Sequence, residues 1–222
     1  MKYLLHIDTS TDLGTVAIGA DGELIALKIN EGGRNHAATI NLLIEDLLAG
    51  VGLKFSDLSG IVVCAGPGSY TGLRIGMATA KGLCYALDIP LFLHNRLTLL
   101  AYQFSQVHKL EYDYYAALLL AREKEYFFAV YDKNFNCDIF PQHIVEKQYN
   151  ELISSFTGVF LVTDVLDSEI DKLSVNIVKI DKNITIDVKM WVYYSFNCFI
   201  EGKSENLFLS EPFYLKQVYT HN

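Results

Sequence analysis

The first apolar segment of the chain is followed by four consecutive polar residues, Asp8, Thr9, Ser10 and Thr11. Hydroxyl groups and closely spaced backbone N–H groups are the donors with which loops hold phosphate and other anions. The same side chains also form local turns, in which they hydrogen-bond the neighbouring backbone. The sequence therefore leaves two interpretations of this run, an anion-binding loop or a turn that serves only its own backbone.

A glycine-rich run extends from Cys64 to Gly76, between an apolar segment and a stretch with helical periodicity. It fits neither common nucleotide motif, because Thr71 stands where the third glycine of a dinucleotide fingerprint would be and no Walker lysine follows Gly72. Ser69 is placed to cap the following helix, and an N-terminus of this kind also attracts small anions.

Gly72, Gly76 and Ala80 recur at every fourth position of that helix and predict a smooth strip along it. Glycine inside a helix costs about 1 kcal/mol relative to alanine, so we expect another element to pack closely against the strip. This element is either a helix of the same chain or another subunit. The residues predicted to contact a partner are Gly72, Leu73, Arg74, Gly76, Met77 and Ala80.

Charge and composition exclude several classes of protein. Among the 222 residues, 26 are acidic and 18 are Lys or Arg, which gives a net charge of −8 and disfavours autonomous binding to nucleic acid. The four cysteines are too far apart for a zinc site or a disulfide framework. Apolar runs stay well below the roughly 18 residues that span a bilayer, and Asp8 interrupts the first one, so we expect a cytoplasmic protein.

Hydrophobic periodicity predicts the order βββαβαβα in the first half of the chain. The predicted strands cover residues 2–7, 15–19, 23–30, 61–64 and 90–93, and the predicted helices cover 35–50, 69–87 and 96–106. The pattern then restarts, with strands at 115–120, 125–131, 137–144 and 159–162 and helices at 147–155 and 186–200. We therefore predict an α/β protein with domains at 1–108 and 109–222, the second a truncated copy of the first.

This duplicated order resembles the actin, hexokinase and Hsp70 superfamily, in which two ribonuclease H-like domains clasp a nucleotide. Three segments add a closer resemblance to the TsaB (YeaZ) family, a bacterial partner subunit in the synthesis of threonylcarbamoyladenosine on tRNA. These segments are residues 8–11, 66–76 and 211–216. The family usually closes the third segment with arginine, whereas this chain has Lys216, which keeps the charge but loses the bidentate geometry.

The resemblance implies a non-catalytic scaffold subunit. Its partners would be TsaD, which carries the metal and transfers the threonylcarbamoyl group to tRNA, and the ATPase TsaE. Members of the family pair through their first two helices, either with TsaD or with a second copy, so a homodimer is expected in isolation. No membrane contact is expected.

The resemblance also bears on cofactors. In the superfamily the loop at Asp8 faces phosphate, and a second glycine-rich loop completes the grip, but residues 121–125 contain no glycine. We therefore expect no cofactor, with weak nucleotide binding only in the presence of partner subunits. By likeness to TsaD, the two metal-binding histidines are replaced by Arg96 and Leu100, which are not metal ligands here. His94 is predicted to be structural or exposed.

Two other functions stay open. One is a small-molecule kinase that uses Asp8 as the base and residues 9–11 as the phosphate loop. The other is a peptidase, which is disfavoured because the sequence has no His-Glu-x-x-His, no Gly-x-Ser-x-Gly and no supported Cys/His pair.

Overall fold

The computed structural model describes residues 1–30, 35–109, 111–166 and 177–214. The chain forms two compact units, of which the first contains residues 1–95 and 187–214 and the second contains residues 96–186. This division differs from the predicted one at residue 108, since the helix that starts at Arg96 joins the second unit and the last helix joins the first.

The first unit is built on a five-stranded sheet in the order β3-β2-β1-β4-β5. Its strands are β1 (Tyr3–Asp8), β2 (Gly14–Ala20), β3 (Glu23–Asn30), β4 (Leu58–Gly66) and β5 (Leu91–Asn95). β1, β2 and β3 form an antiparallel meander, whereas β4 pairs in parallel with both β1 and β5. Asp21 and Gly22 both have positive φ angles, which confirms the predicted hairpin turn between β2 and β3.

The described residues of the first unit form three α-helices: α1 (His36–Gly50), α2 (Tyr70–Leu87) and α5 (Val188–Ile200). α1 and α2 pack on one face of the sheet, where Leu5 and Ile7 of β1 join a core with Ile44 and Met77. α5 covers the opposite face, which carries the alternate residues of β1, and Trp191 contacts His6 there.

The second unit has a five-stranded sheet in the order β10-β9-β6-β7-β8. Its strands are β6 (Tyr114–Arg122), β7 (Glu125–Asp132), β8 (Cys137–Val145), β9 (Val159–Thr163) and β10 (Ile177–Asp181). Among its described residues, the helices are α3 (Arg96–Val107) and α4 (Glu146–Ile153). Leu97 and Leu100 of α3 pack on one face of this sheet, and Tyr149 and Ile153 of α4 pack on the other.

Most predicted elements are present within a few residues of their predicted ends, and the α/β class is confirmed. β10 was not predicted. The closing helix was predicted at 186–200 as part of the second domain, but it packs on the first sheet because Trp191 and Val192 fill that sheet's otherwise uncovered apolar face. In the parts of the chain that the structure describes, no helix is both long and apolar enough to cross a membrane.

Candidate functional site

The polar run at residues 8–11 and the glycine-rich run come together at one edge of the first sheet. β1 and β4 are parallel neighbours, so the residues that follow their carboxyl ends lie side by side. Asp8, Thr9 and Ser10 are all buried. Thr9 Oγ1 donates a hydrogen bond to the carbonyl oxygen of Gly72 (2.7 Å), and the backbone N–H of Ser69 donates to the carbonyl oxygen of Ser10 (2.7 Å).

The donors of the candidate anion loop are engaged within the chain. The N–H of Ser10 donates to Asp8 Oδ1 (2.8 Å), which is the geometry of an Asx turn. Thr11 lies further out, and its hydroxyl forms a local bond with the backbone of Leu13 at 3.2 Å. Anion binding by these residues stays a prediction, and it requires Thr9 and Ser10 to exchange their present partners for the anion.

Gly72 and Gly76 of α2 are required by close packing within their own chain. A Cβ atom on Gly72 would overlap the carbonyl oxygen of Thr9, and one on Gly76 would overlap Thr9 Oγ1. Gly68 approaches the carbonyl oxygen of Ser10 in the same way. The loop after β1 therefore occupies the smooth strip that the spacing of Gly72 and Gly76 predicted.

This finding corrects the predicted partner surface. Of its six residues, five are buried in the first unit, and only Arg74 is exposed. The five buried residues are Gly72, Leu73, Gly76, Met77 and Ala80. Their side chains and main chain are covered by β1, β4 and the loop after β1, so they cannot reach another subunit.

The outward side of α2 carries a second row of small residues that the sequence analysis missed. Ala78, Gly82 and Ala86 are exposed and recur at every fourth position, and a Cβ atom on Gly82 would meet nothing within 4 Å. At the start of this side the Arg74 guanidinium lies over the ring of Tyr70, 4.9 Å from its centroid. The signal was in the sequence, since the same spacing of small residues recurs six positions further along the helix.

The opposite face of the first sheet holds a buried polar cluster. Trp191 Nε1 donates to His94 Nδ1 (2.9 Å), and Ser195 Oγ donates to the carbonyl oxygen of Trp191 (2.6 Å). Burial lowers the pKa of His6 and that of His94 to about 3, so both rings are neutral at neutral pH. Since its Nδ1 accepts a hydrogen bond, His94 carries its proton on Nε2, and its role is structural, one of the two predicted possibilities.

Arg96 and Leu100, which occupy the positions compared with the metal ligands of TsaD, have structural roles. In the second unit Arg96 is buried, and its Nη2 donates to the carbonyl oxygen of Ile184 (2.8 Å). Leu100 is fully buried in the core beneath α3. Among residues 1–30, 35–109, 111–166 and 177–214, no group of three or more His, Cys, Asp or Glu side chains is arranged to hold a metal ion.

The place of a second phosphate loop is a tight hairpin between β6 and β7. Lys124 has a φ of 59°, and its carbonyl oxygen accepts the N–H of Glu146 (3.0 Å). Glu125 Oε2 lies 2.9 Å from His143 Nε2 on β8. Charged side chains and a closed turn stand where a glycine-rich loop would expose its backbone to phosphate.

Comparison with known proteins assigns the chain to a family. A family model described as TsaD, tRNA N6-adenosine threonylcarbamoyltransferase, matches residues 28–149, which is more than half of the chain. The chain belongs to this family. Within the chain, the match covers α1, the glycine-rich run, α2 and the first part of the second unit.

The predicted resemblance to TsaB is confirmed by individual relatives. The chain is 35% identical over 127 residues to the tRNA threonylcarbamoyladenosine biosynthesis protein TsaB of Haemophilus influenzae, which covers 57% of this chain and 52% of that protein. It is 40% identical over 98 residues to TsaB of Bacillus subtilis, covering 44% of this chain and 43% of that protein. The matches thus span about half the length of these relatives.

Solved structures show the same fold over nearly the whole chain. YeaZ from Pseudomonas aeruginosa matches with a TM-score of 0.80 and 21% identity, covering 97% of this chain and all of that one. Lmo2764, a putative N-acetylmannosamine kinase from Listeria monocytogenes, matches with a TM-score of 0.53 at 12% identity. The predicted fold class, an α/β protein with two domains, is confirmed by the two five-stranded sheets and by the match to YeaZ.

Proposed function

We propose that this chain is a non-catalytic subunit in the synthesis of threonylcarbamoyladenosine on tRNA, and that it binds and supports the transferase TsaD. TsaE would be the associated ATPase, and the three proteins would act together in the cytoplasm. The observation that carries the proposal is the likeness to proteins named TsaB, at 35% identity over 127 residues and 40% identity over 98 residues.

The use of the candidate catalytic positions supports a non-catalytic role. Arg96 and Leu100 are buried in the second unit, and the Arg96 guanidinium donates a hydrogen bond to the backbone carbonyl of Ile184. The Thr9 hydroxyl donates to the carbonyl oxygen of Gly72 in α2, and the N–H of Ser10 donates to Asp8. A chain arranged in this way stabilises its own core with the residues that would otherwise serve a metal or a phosphate, so chemistry would come from the partner.

The outward side of α2 is the partner surface that the geometry supports best. A row of Ala78, Gly82 and Ala86 lets the backbone of another helix approach closely, and Arg74 stands beside it as a charged anchor. Leu42 of the neighbouring helix α1 is 61% exposed. We propose that TsaD packs on this side of α1 and α2, and that a second copy of the chain occupies it in isolation.

Reconstitution tests the proposed function. Unmodified tRNA would be incubated with purified TsaD, TsaE and the threonylcarbamoyl donor from the same organism, with and without this chain, and modified adenosine would be measured by mass spectrometry. We expect transfer to fall by at least about tenfold when the chain is left out. An unchanged rate would contradict the proposal, and turnover by this chain alone would contradict its non-catalytic role.

A further inference from the structure

A hollow of about 780 Å³ lies in the first unit, where the C-terminal end of α2 meets the segment that follows α5. This volume lies in the range of about 300–1,000 Å³ that is typical of ligand sites. Of the row proposed to contact TsaD, only Ala86 belongs to this hollow. Its lining consists of Cys84, Tyr85, Ala86, Asp88, Ile89, Pro90, Leu207 and Phe208.

Large apolar side chains surround the hollow and face solvent. Tyr85 and Phe208 line the hollow and are 72% and 76% exposed, which places them among the most exposed large apolar residues of the described chain. Single exposed apolar residues are ordinary, but two such rings at one concavity are typical of a binding surface. Water is displaced from both rings when an apolar group enters.

Hydrogen bonds hold this rim in place. Asn206 Oδ1 accepts the N–H groups of Phe208 and Leu209, both at 3.0 Å. Lys81 Nζ donates to the carbonyl oxygens of Phe208 (3.3 Å) and Ser210 (3.2 Å), which ties the segment to α2. A rim fixed before binding loses less conformational freedom when a partner arrives.

The surroundings of the hollow are negative. α2 ends there with no basic residue in its last turn, so its carbonyl end is uncompensated, and Asp88 is exposed beside it. Glu205 and Glu211 are exposed in the segment that forms the other wall, whereas the ammonium group of Lys81 is spent on carbonyl oxygens. A cation beside an apolar group therefore fits this place.

We infer that the hollow is a docking site for a protein partner that presents a large apolar side chain flanked by lysine or arginine. The apolar side chain enters between Tyr85 and Phe208, and the flanking cations lie near Asp88 and the end of α2. A second copy of this chain is a poor occupant, because its net charge of −8 repels an acidic rim. The inference goes beyond the proposed function and does not depend on it.

A peptide titration tests the site on the full-length chain. The probe is a blocked pentapeptide with leucine between two arginines, and the control peptide has glutamates in place of the arginines. Binding would be followed by NMR chemical shifts of the ¹⁵N-labelled protein. We expect a Kd of about 1 mM for the basic peptide, with shifts confined to residues 84–90 and 205–210, and at least about tenfold weaker binding of the acidic peptide.

Matched variants distinguish binding at this site from non-specific binding to exposed apolar side chains. Phe208→Ala should weaken binding about tenfold, and Asp88→Asn, which keeps a side chain that tolerates the left-handed backbone at this position, should weaken it about threefold. Phe140→Ala removes an equally exposed ring (74%) from the second unit and should change nothing. Thermal melts of all three variants check that they fold.

Several outcomes would overturn the inference. They are a basic peptide that does not bind at about 10 mM, equal binding of the acidic peptide, or an equal loss in the Phe140→Ala variant. Sedimentation that shows a dimer abolished by Phe208→Ala would assign the hollow to a second copy and would also overturn it.

Discussion

Gly72 lies in the first turn of α2, and the space that its side chain would occupy is filled by the carbonyl oxygen of Thr9. That oxygen belongs to the backbone of a buried loop, so it cannot move aside without breaking the bond between Thr9 Oγ1 and the carbonyl of Gly72. At this position a methyl group is too large. Ten residues further along the same helix Gly82 faces open solvent, and the two glycines form a natural pair for comparison.

We predict opposite effects for alanine at these two positions. Gly72→Ala should lower the free energy of unfolding by about 1–3 kcal/mol, because the new methyl group forces the loop after β1 to shift. Gly82→Ala should raise the free energy of unfolding by up to about 1 kcal/mol, since alanine favours the helix and meets no neighbour. Urea denaturation of both variants measures the difference. Equal stability of the two would show that Thr9 does not cover α2 in solution.

Acid should weaken the cluster around Trp191. His6 and His94 have pKa values lowered to about 3 in the folded state, against an ordinary value of 6.5, so the unfolded chain takes up protons first as the pH falls. Stability is therefore full above about pH 6.5 and declines between about pH 6.5 and pH 3. At pH 5 each histidine should lower the free energy of unfolding by about 2 kcal/mol. This value follows because pH 5 lies 1.5 units below the ordinary pKa of 6.5 and each unit corresponds to about 1.36 kcal/mol.

The single tryptophan reports this loss directly. Urea unfolding would be followed by Trp191 fluorescence at pH 7 and at pH 5. The free energy of unfolding should be lower at pH 5 by up to about 4 kcal/mol, because each of the two histidines contributes about 2 kcal/mol. In His94→Asn, whose amide oxygen can still accept the indole N–H, about half of the decline should disappear. If the variant loses as much free energy of unfolding between pH 7 and pH 5 as the parent chain does, His94 does not contribute to the pH dependence.

At the scale of elements, α2 presents two rows of small residues with different roles. The row of Gly72, Gly76 and Ala80 is closed by its own chain, whereas the row of Ala78, Gly82 and Ala86 is open. The spacing in the sequence predicted close packing on this helix, and close packing is found. The identity of the packed element was beyond the sequence, because it depends on how the loop after β1 folds back over α2.

The open row yields a prediction about the partner. Gly82→Arg places a long charged side chain where nothing of the same chain lies within 4 Å, so the fold should be kept while pairing with TsaD weakens by at least about tenfold. Asn150→Arg adds the same charge to an exposed position of α4 and serves as the control. Calorimetry with purified TsaD measures both. If the two variants bind TsaD equally well, the partner surface lies elsewhere.

The helix α5 shows a further limit of reading elements from sequence. Its position was predicted within two residues at its start, but it was placed in the wrong unit, because proximity along the chain favoured the second one. Side-chain packing instead places this helix in the first unit. Val192 fills the space above Gly19, and Trp191 finds a hydrogen-bond acceptor in His94, which is 97 residues away in sequence.

At the scale of the whole molecule, the charge distribution limits what the chain can hold by itself. Residues 111–222 contain 17 acidic against 10 basic side chains, and a tRNA backbone requires the opposite sign. We predict no retardation of tRNA by the isolated chain at about 10 µM in about 0.15 M salt, and retardation once TsaD is added. A gel shift with radiolabelled tRNA tests this. Binding by the chain alone would move tRNA recognition onto this subunit.

The first unit is interrupted in the chain by the second. Its sheet is complete at residue 95, yet the helix that shields His6 and His94 from water spans Val188–Ile200. During translation, therefore, one face of this sheet stays exposed to water until residues 188–200 have also been synthesised. A translation product that stops before Trp191 leaves two imidazoles and a strip of aliphatic strand bare, which marks it for chaperones and proteases.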